Sequence, residues 1–181
     1  MYGARYNEDM LQLSGSLIGQ PVLSLRAGNK VARTIAPILN PNNLKLEGFY
    51  CESTEREQLV LLYQDIRDLI PQGFIVNDFD VLVEPSELVR LKEVMDLRFD
   101  LMGKQVVTTS KEKVGKVADY ATETTTMFVQ KLYVSQSILK NLTGSNLGID
   151  RTQIVEINDH QVVVHDLLQP TRVPAGARAT A

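Results

Sequence analysis

The sequence predicts a mainly β protein: two small β-barrels in tandem, joined by a short helical linker. Three observations lead to this expectation. The apolar runs have strand length, as in Leu59 to Tyr63, and turn residues such as Ala27-Gly28-Asn29 and Pro71-Gln72-Gly73 separate them. A set of short motifs occurs twice in the same order. The stretch between the two sets carries helix-start signals instead of strand signals.

The repetition decides the organisation. Leu17-Ile18-Gly19-Gln20-Pro21-Val22 matches Leu101-Met102-Gly103-Lys104-Gln105-Val106, with Gly19 over Gly103. Lys30-Val31-Ala32-Arg33 matches Lys113-Val114-Gly115-Lys116, and Leu46-Glu47-Gly48-Phe49-Tyr50 matches Val129-Gln130-Lys131-Leu132-Tyr133, both at one common spacing. Asp65-Ile66 and Phe74-Ile75-Val76 match Gln153-Ile154 and Val162-Val163-Val164, at a slightly longer spacing. One such pair could arise by chance among β-rich segments. Four pairs in one order are read as a duplication, with the offset drifting where loops absorb insertions.

Taken in order, residues 1–16 form an N-terminal extension and residues 17–83 the first barrel. Its strands are expected at Pro21 to Leu25, Lys30 to Ile35, Lys45 to Cys51, Leu59 to Tyr63 and Phe74 to Asn77, with Val22, Val31, Leu46, Leu61, Ile66 and Ile75 in the core. Barrel closure removes exposed sheet edges. Residues 84–100 are expected to form the linker helix: Pro85 and Glu87 suit its start, and Leu88, Leu91 and Met95 share one face that packs on a barrel. Residues 101–168 form the second barrel, with Val106, Val114, Val129, Ile154 and Val163 as its core. A short helix is expected over Ser135 to Leu142, where Ile138, Leu139 and Leu142 make a stripe that Gly144 ends. Residues 169–181, rich in Pro, Ala, Gly and Thr, read as a disordered tail.

The motif order resembles that of the PRC-barrel family: a leucine-apolar-glycine opening, a lysine-valine-glycine-lysine-valine step, a strand ending in leucine-tyrosine, and a final β-branched run. Leu101 to Val106, Lys113 to Val117, Val129 to Val134 and Val162 to Val164 carry it most clearly. The first copy departs from it in having Ala32 where the second has Gly115, and in a longer polar stretch after Pro37. The resemblance implies a small β-barrel used for docking. Family examples are the C-terminal barrel of the bacterial ribosome-maturation factor and the cytoplasmic barrel of the photosynthetic reaction-centre H subunit. Residues 1–181 depart from both examples, reading as neither the glycine-rich domain of the former nor the membrane helix of the latter.

Composition and candidate chemistry favour binding over catalysis. The 19 basic and 22 acidic residues leave a net charge of −3, with no general pull toward nucleic acid or anionic lipid. No apolar run approaches the roughly 20 residues of a membrane span, and Met1 to Ser16 has no apolar stretch of the secretory kind, so no membrane insertion and a cytoplasmic location are expected. Cys51 is the only cysteine and reads as a half-buried structural thiol, since no activating base is indicated. His160 and His165 read as surface residues. Asp65, Asp68, Asp78 and Asp80 read as turn and edge charges, not a carboxylate pair or a cation loop. No cofactor and no metal are expected.

Lys104, Lys111, Lys113 and Lys116 form one basic concentration, interrupted by Glu112. Strand aromatics and the polar tip Thr122 to Thr126 are the remaining binding candidates. The candidate binding surface is therefore Lys111, Lys113, Lys116, Phe79 and Thr124. The expected function is a non-catalytic protein-binding adaptor or scaffold whose partner is an unidentified protein, with homo-oligomerisation open to it. The alternative is a ribosome- or RNA-associated maturation factor, and a small-ligand or metal-binding enzyme ranks last.

Overall fold

A computed structural model describes residues 11–136 and 146–166. Its strands in chain order are β1 (Leu11–Leu13), β2 (Pro21–Ser24), β3 (Lys30–Asn40), β4 (Lys45–Ser53), β5 (Gln58–Leu62), β6 (Ile66–Ile70), β7 (Gly73–Val76) and β8 (Leu82–Val83). A helix α1 (Lys92–Leu97) precedes β9 (Gln105–Thr108), β10 (Lys113–Glu123), β11 (Val129–Ser135), β12 (Leu147–Asp150), β13 (Ile154–Ile157) and β14 (Gln161–Val164). The protein is mainly β, with two sheets. The first runs β6-β7-β2-β3-β4-β5-β8, and the second runs β13-β14-β9-β10-β11-β12 with β1 added beside β10.

The two sheets share strand order and register. In each, the last long strand returns parallel to the first: Val22 pairs with Phe74 and Val106 with Val162. The long strands carry irregularities at matching places, between Thr34/Ala36 and Ile38/Leu39 in β3, and between Val117/Asp119 and Ala121/Thr122 in β10. Loop bonds match too. Gly19 N–H donates to Thr34 O and Gly103 N–H to Val117 O, each at 2.8 Å. Both glycines hold positive φ, 75° and 76°, which explains why this residue recurs at the opening motif.

The core follows the alternation of the strands. Val22, Val31, Leu46, Leu61, Val106 and Val129 are buried, as the sequence predicts. Ile75 and Val163 are only half-buried, and their neighbours Phe74, Val76, Val162 and Val164 point inward. The sequence reading is one residue out of phase in β7 and β14, which exchanges the faces of a strand. Gly73 sets the phase of β7: its backbone (φ 136°) lies so close to Pro21 O that a Cβ would collide, and the next residue, Phe74, then faces the core. Ile66, Ile154 and Val114 are half-buried at the margin of the same cluster.

The linker differs most from expectation. Only Lys92–Leu97 is α-helical, preceded by a 3-10 turn at Pro85–Glu87. Leu88 leaves helical geometry (φ −86°, ψ 61°), and Leu88 and Leu91 donate their N–H groups to Pro85 O and Leu88 O. A single long helix here would have little burial to offset its nucleation cost, and successive three-residue turns satisfy the backbone instead. Leu88, Leu91 and Met95 are half-buried. The helix expected over Ser135 to Leu142 falls mostly, and the C-terminal tail wholly, outside the described residues.

The two halves meet through equivalent hairpin turns. Leu46 N–H donates to Met127 O at 2.8 Å, and Val129 N–H donates to Leu44 O at 2.9 Å. Between these bonds Lys45 and Phe128 form an isolated antiparallel bridge. Leu44 is separated from Met127 by the same interval as Leu46 from Val129, the interval of the sequence repeat, so each half offers the same positions to the other. Leu44 and Met127 both take left-handed backbone, φ 55° and 59°, and both are buried. That conformation costs a non-glycine residue about 1–2 kcal/mol, which burial of a leucine or methionine, about 1.5–3 kcal/mol, can offset. One cluster of buried apolar side chains includes residues of both sheets.

Thr122 is an exception within this core. It is fully buried in β10 and its Oγ1 has no hydrogen-bond partner. Thr122→Val keeps the shape and removes the unpaired hydroxyl. It is expected to stabilise the protein by about 1 kcal/mol, read as a higher urea midpoint with an unchanged slope.

Candidate functional site

The candidate site is a cleft between the halves, floored by β3 and roofed by α1. Ala36 to Leu39 of β3 and Tyr50 of β4 supply one wall, and Val94, Met95, Arg98, Phe99 and Met102 the facing one. Ser14, Gly15 and Ile18, from the turn after β1, with Asp100 and with Tyr120 of β10, complete it around a space of about 340 Å³. The chain reaches this arrangement by exchange. β1, which leads into the first half, pairs with β10 of the second, Leu13 opposite Ala121. The chain leading into the second half carries α1 onto β3 of the first.

Polar groups at the cleft fall into two sets. Asp119 Oδ1 accepts from Ser14 Oγ at 2.5 Å, from Ser14 N–H at 3.2 Å and from Tyr120 N–H at 2.7 Å. Asp100 Oδ1 accepts from Met102 N–H at 2.9 Å. Burial, with Asp100 and Asp119 nearby, pushes the Tyr120 phenol up and keeps it protonated. Tyr50 is raised by burial, an effect partly countered by the positive charge of Arg98 and reinforced by Asp96. Arg98 forms no ion pair among the described residues. A second cavity of about 600 Å³ lies between Leu62 to Gln64 and the irregular linker stretch Glu87 to Leu91.

The residues singled out from sequence do not gather at this cleft. Lys111, Lys113 and Lys116 are exposed along the β9–β10 hairpin. Phe79 is 43% exposed on the short turn after β7. Thr124 lies at the β10–β11 turn and lines a small cavity together with Tyr63, Ile66 and Leu69 of the first half. The expected polar tip is therefore shorter than Thr122 to Thr126, since Thr122 belongs to the core. Lys45 and Arg151, which the sequence did not single out, support the junction. Lys45 Nζ stands 3.6 Å from the Tyr63 ring centre, and the Arg151 guanidinium 4.6 Å from that of Phe128. Arg151 Nη2 also donates across the junction to Asn43 O at 2.6 Å.

The remaining reactive side chains are quiet. Cys51 is fully buried, more so than the half-buried thiol expected, and burial pushes it up to about 12, so the thiolate form is disfavoured. His160 and His165 are exposed. Among the described residues, no three His, Cys, Asp or Glu side chains are placed to hold a metal ion, and no helix is long and apolar enough to cross a membrane. No protein-family model matches the chain, and no curated protein matches it.

Two aspartates lock equivalent corners. Asp78 Oδ1 accepts from Phe79 N–H at 2.7 Å and Ser24 Oγ at 3.3 Å, and Oδ2 accepts from Arg26 at 3.1 Å. Asp166 Oδ1 accepts from Ser110 Oγ at 2.8 Å and Ser110 N–H at 3.2 Å. These bonds hold both carboxyls below their ordinary value, with the Phe79 N–H the main cause at Asp78 and the Ser110 hydroxyl at Asp166. A lowered folded value contributes stability above the unfolded value, about 3.9, and loses it as pH falls through the folded one. Asp78→Asn and Asp166→Asn are thus expected to be less stable than wild type at pH 7, with the gap closing as pH falls below about 4. Urea midpoints measured across pH check this.

Proposed function

We propose that the chain is a non-catalytic binding module: two PRC-type barrels, arisen by duplication, locked together as one adaptor that presents a composite surface to a protein partner in the cytoplasm. The observation that carries this reading is the reciprocal hairpin junction, in which Leu44 and Met127 occupy equivalent buried, left-handed positions. An isologous contact of this form is what two copies of one domain make with each other. The matching strand order of the two sheets supports the duplication. The burial of Cys51 and the exposed, separate histidines supply no activated nucleophile or base to argue for catalysis. Rigid coupling lets two surfaces engage one partner without the ordering cost of a free tether.

The test is affinity purification from the native cell with wild type and Met127→Asp, which places a carboxylate in the junction. The reading predicts a protein partner retained by wild type and weakened by the variant, with far-UV circular dichroism showing the sheets intact. Absence of any protein partner, together with turnover of a metabolite by the pure protein, would sink it. Ribosome co-sedimentation lost at moderate salt, and removed by neutralising Lys111, Lys113 and Lys116, would transfer the assignment to an RNA-associated factor.

A further inference from the structure

The cleft between the halves is one-sided in a way the matching strand order does not require. At the spacing that relates Gly19 to Gly103, Ser14 corresponds to Arg98 and Gly15 to Phe99, and all four line the cleft. On one side the lining is a hydroxyl and a bare backbone, and on the other a guanidinium and an aromatic ring.

Arg98 stands at a conformationally costly place. It caps the C-terminus of α1 with left-handed backbone, φ 45° and ψ 41°, its N–H donating to Met95 O. Glycine is the usual residue at such a cap because it carries no Cβ penalty. Of the acids nearest it in sequence, Asp96 pairs with Lys92 at 2.8 Å, and Asp100, which also lines the cleft, accepts from Met102 N–H. Arg98 is exposed and lines, with Tyr50, whose phenol feels its charge, a mainly apolar cleft of about 340 Å³ that Ser14, Asp100 and Tyr120 also line. That volume falls within the range for small-ligand sites, which favour domain interfaces and combine apolar walls with a few placed polar groups.

We propose that this cleft binds a small apolar anion, an aromatic or aliphatic carboxylate. Its hydrocarbon part lies among Ile18, Ile38, Val94, Met95 and Phe99, and its carboxylate meets Arg98, which can present two parallel N–H donors. Tyr50 can donate its phenolic proton to the same group. Because the walls come from both halves and α1, occupancy ties them further together. This site is separate from the proposed protein-binding surface, and either assignment can fail alone.

The test is an amide chemical-shift titration of the full chain with benzoate, 4-phenylbutyrate and octanoate, each against its uncharged alcohol isostere. Saturable shifts at cleft residues are expected with at least one carboxylate, and affinity at least about tenfold lower for its alcohol, as for a lost charge-assisted hydrogen bond. Arg98→Gly and Arg98→Gln should show the same loss. Arg98→Gly relieves the left-handed cap, so it should melt no lower than wild type, which separates loss of binding from loss of fold. The proposal is overturned by no saturable cleft shifts with any of the three acids, by equal affinity for acid and alcohol, or by full affinity in Arg98→Gly. A concentration-dependent dimer whose dissociation moves the same resonances would also overturn it and give the cleft to a second copy of the chain.

Discussion

The arrangement of the whole molecule depends on two backbone hydrogen bonds, Leu46 N–H to Met127 O and Val129 N–H to Leu44 O. Each bond alone is worth little net, about 0.5–1.5 kcal/mol. Their importance lies in what they require. To make them, both hairpin turns must present a carbonyl from a left-handed residue, and both residues must be large enough to close the core beneath. Leu44 and Met127 meet both conditions. Glycine would take the backbone more cheaply but leave the junction unfilled. The same two halves are also joined by β1 beside β10 and by α1 against β3, with the cleft between them.

The junction also shows how matched segments can be alike in shape and different in chemistry. At corresponding positions Lys45 lies over Tyr63, while Phe128 lies under Arg151. The cation and the ring have exchanged places, yet each pair sets a positive group against an aromatic face. Lys45 additionally lies 5.5 Å from the Phe128 ring, so the two pairs meet across the junction. The corner aspartates, Asp78 and Asp166, follow the same pattern: each is held by a hydroxyl from the turn it closes, Ser24 in one half and Ser110 in the other.

Much of the local order was legible in the sequence. Gly19 and Gly103 sit where the opening motif places them, and the buried set Val22, Val31, Leu46, Leu61, Val106 and Val129 follows from alternation within single strands. The phase of β7 and β14 was not legible, because Phe74-Ile75-Val76 and Val162-Val163-Val164 are apolar at every position. Such a run carries no alternation to read; the turn before it decides the face. The linker was overestimated because Leu88, Leu91 and Met95 satisfy a helical period that the Pro85–Glu87 turn and the break at Leu88 interrupt. The cleft and the pairing of β1 were invisible because they join residues far apart in the chain, such as Ser14 and Asp119. Arg98 carried no local signal beyond its charge. Only its left-handed cap and its place in the cleft distinguish it.

The claim that the hairpin junction holds both sheets as one body is tested most directly by residual dipolar couplings on the wild-type chain. The account predicts that amide couplings from β2–β8 and from β9–β14 fit a single alignment tensor, with the relative orientation set by the Leu44–Met127 junction. Two tensors of different magnitude for the two halves would contradict it and leave two domains moving independently on a tether.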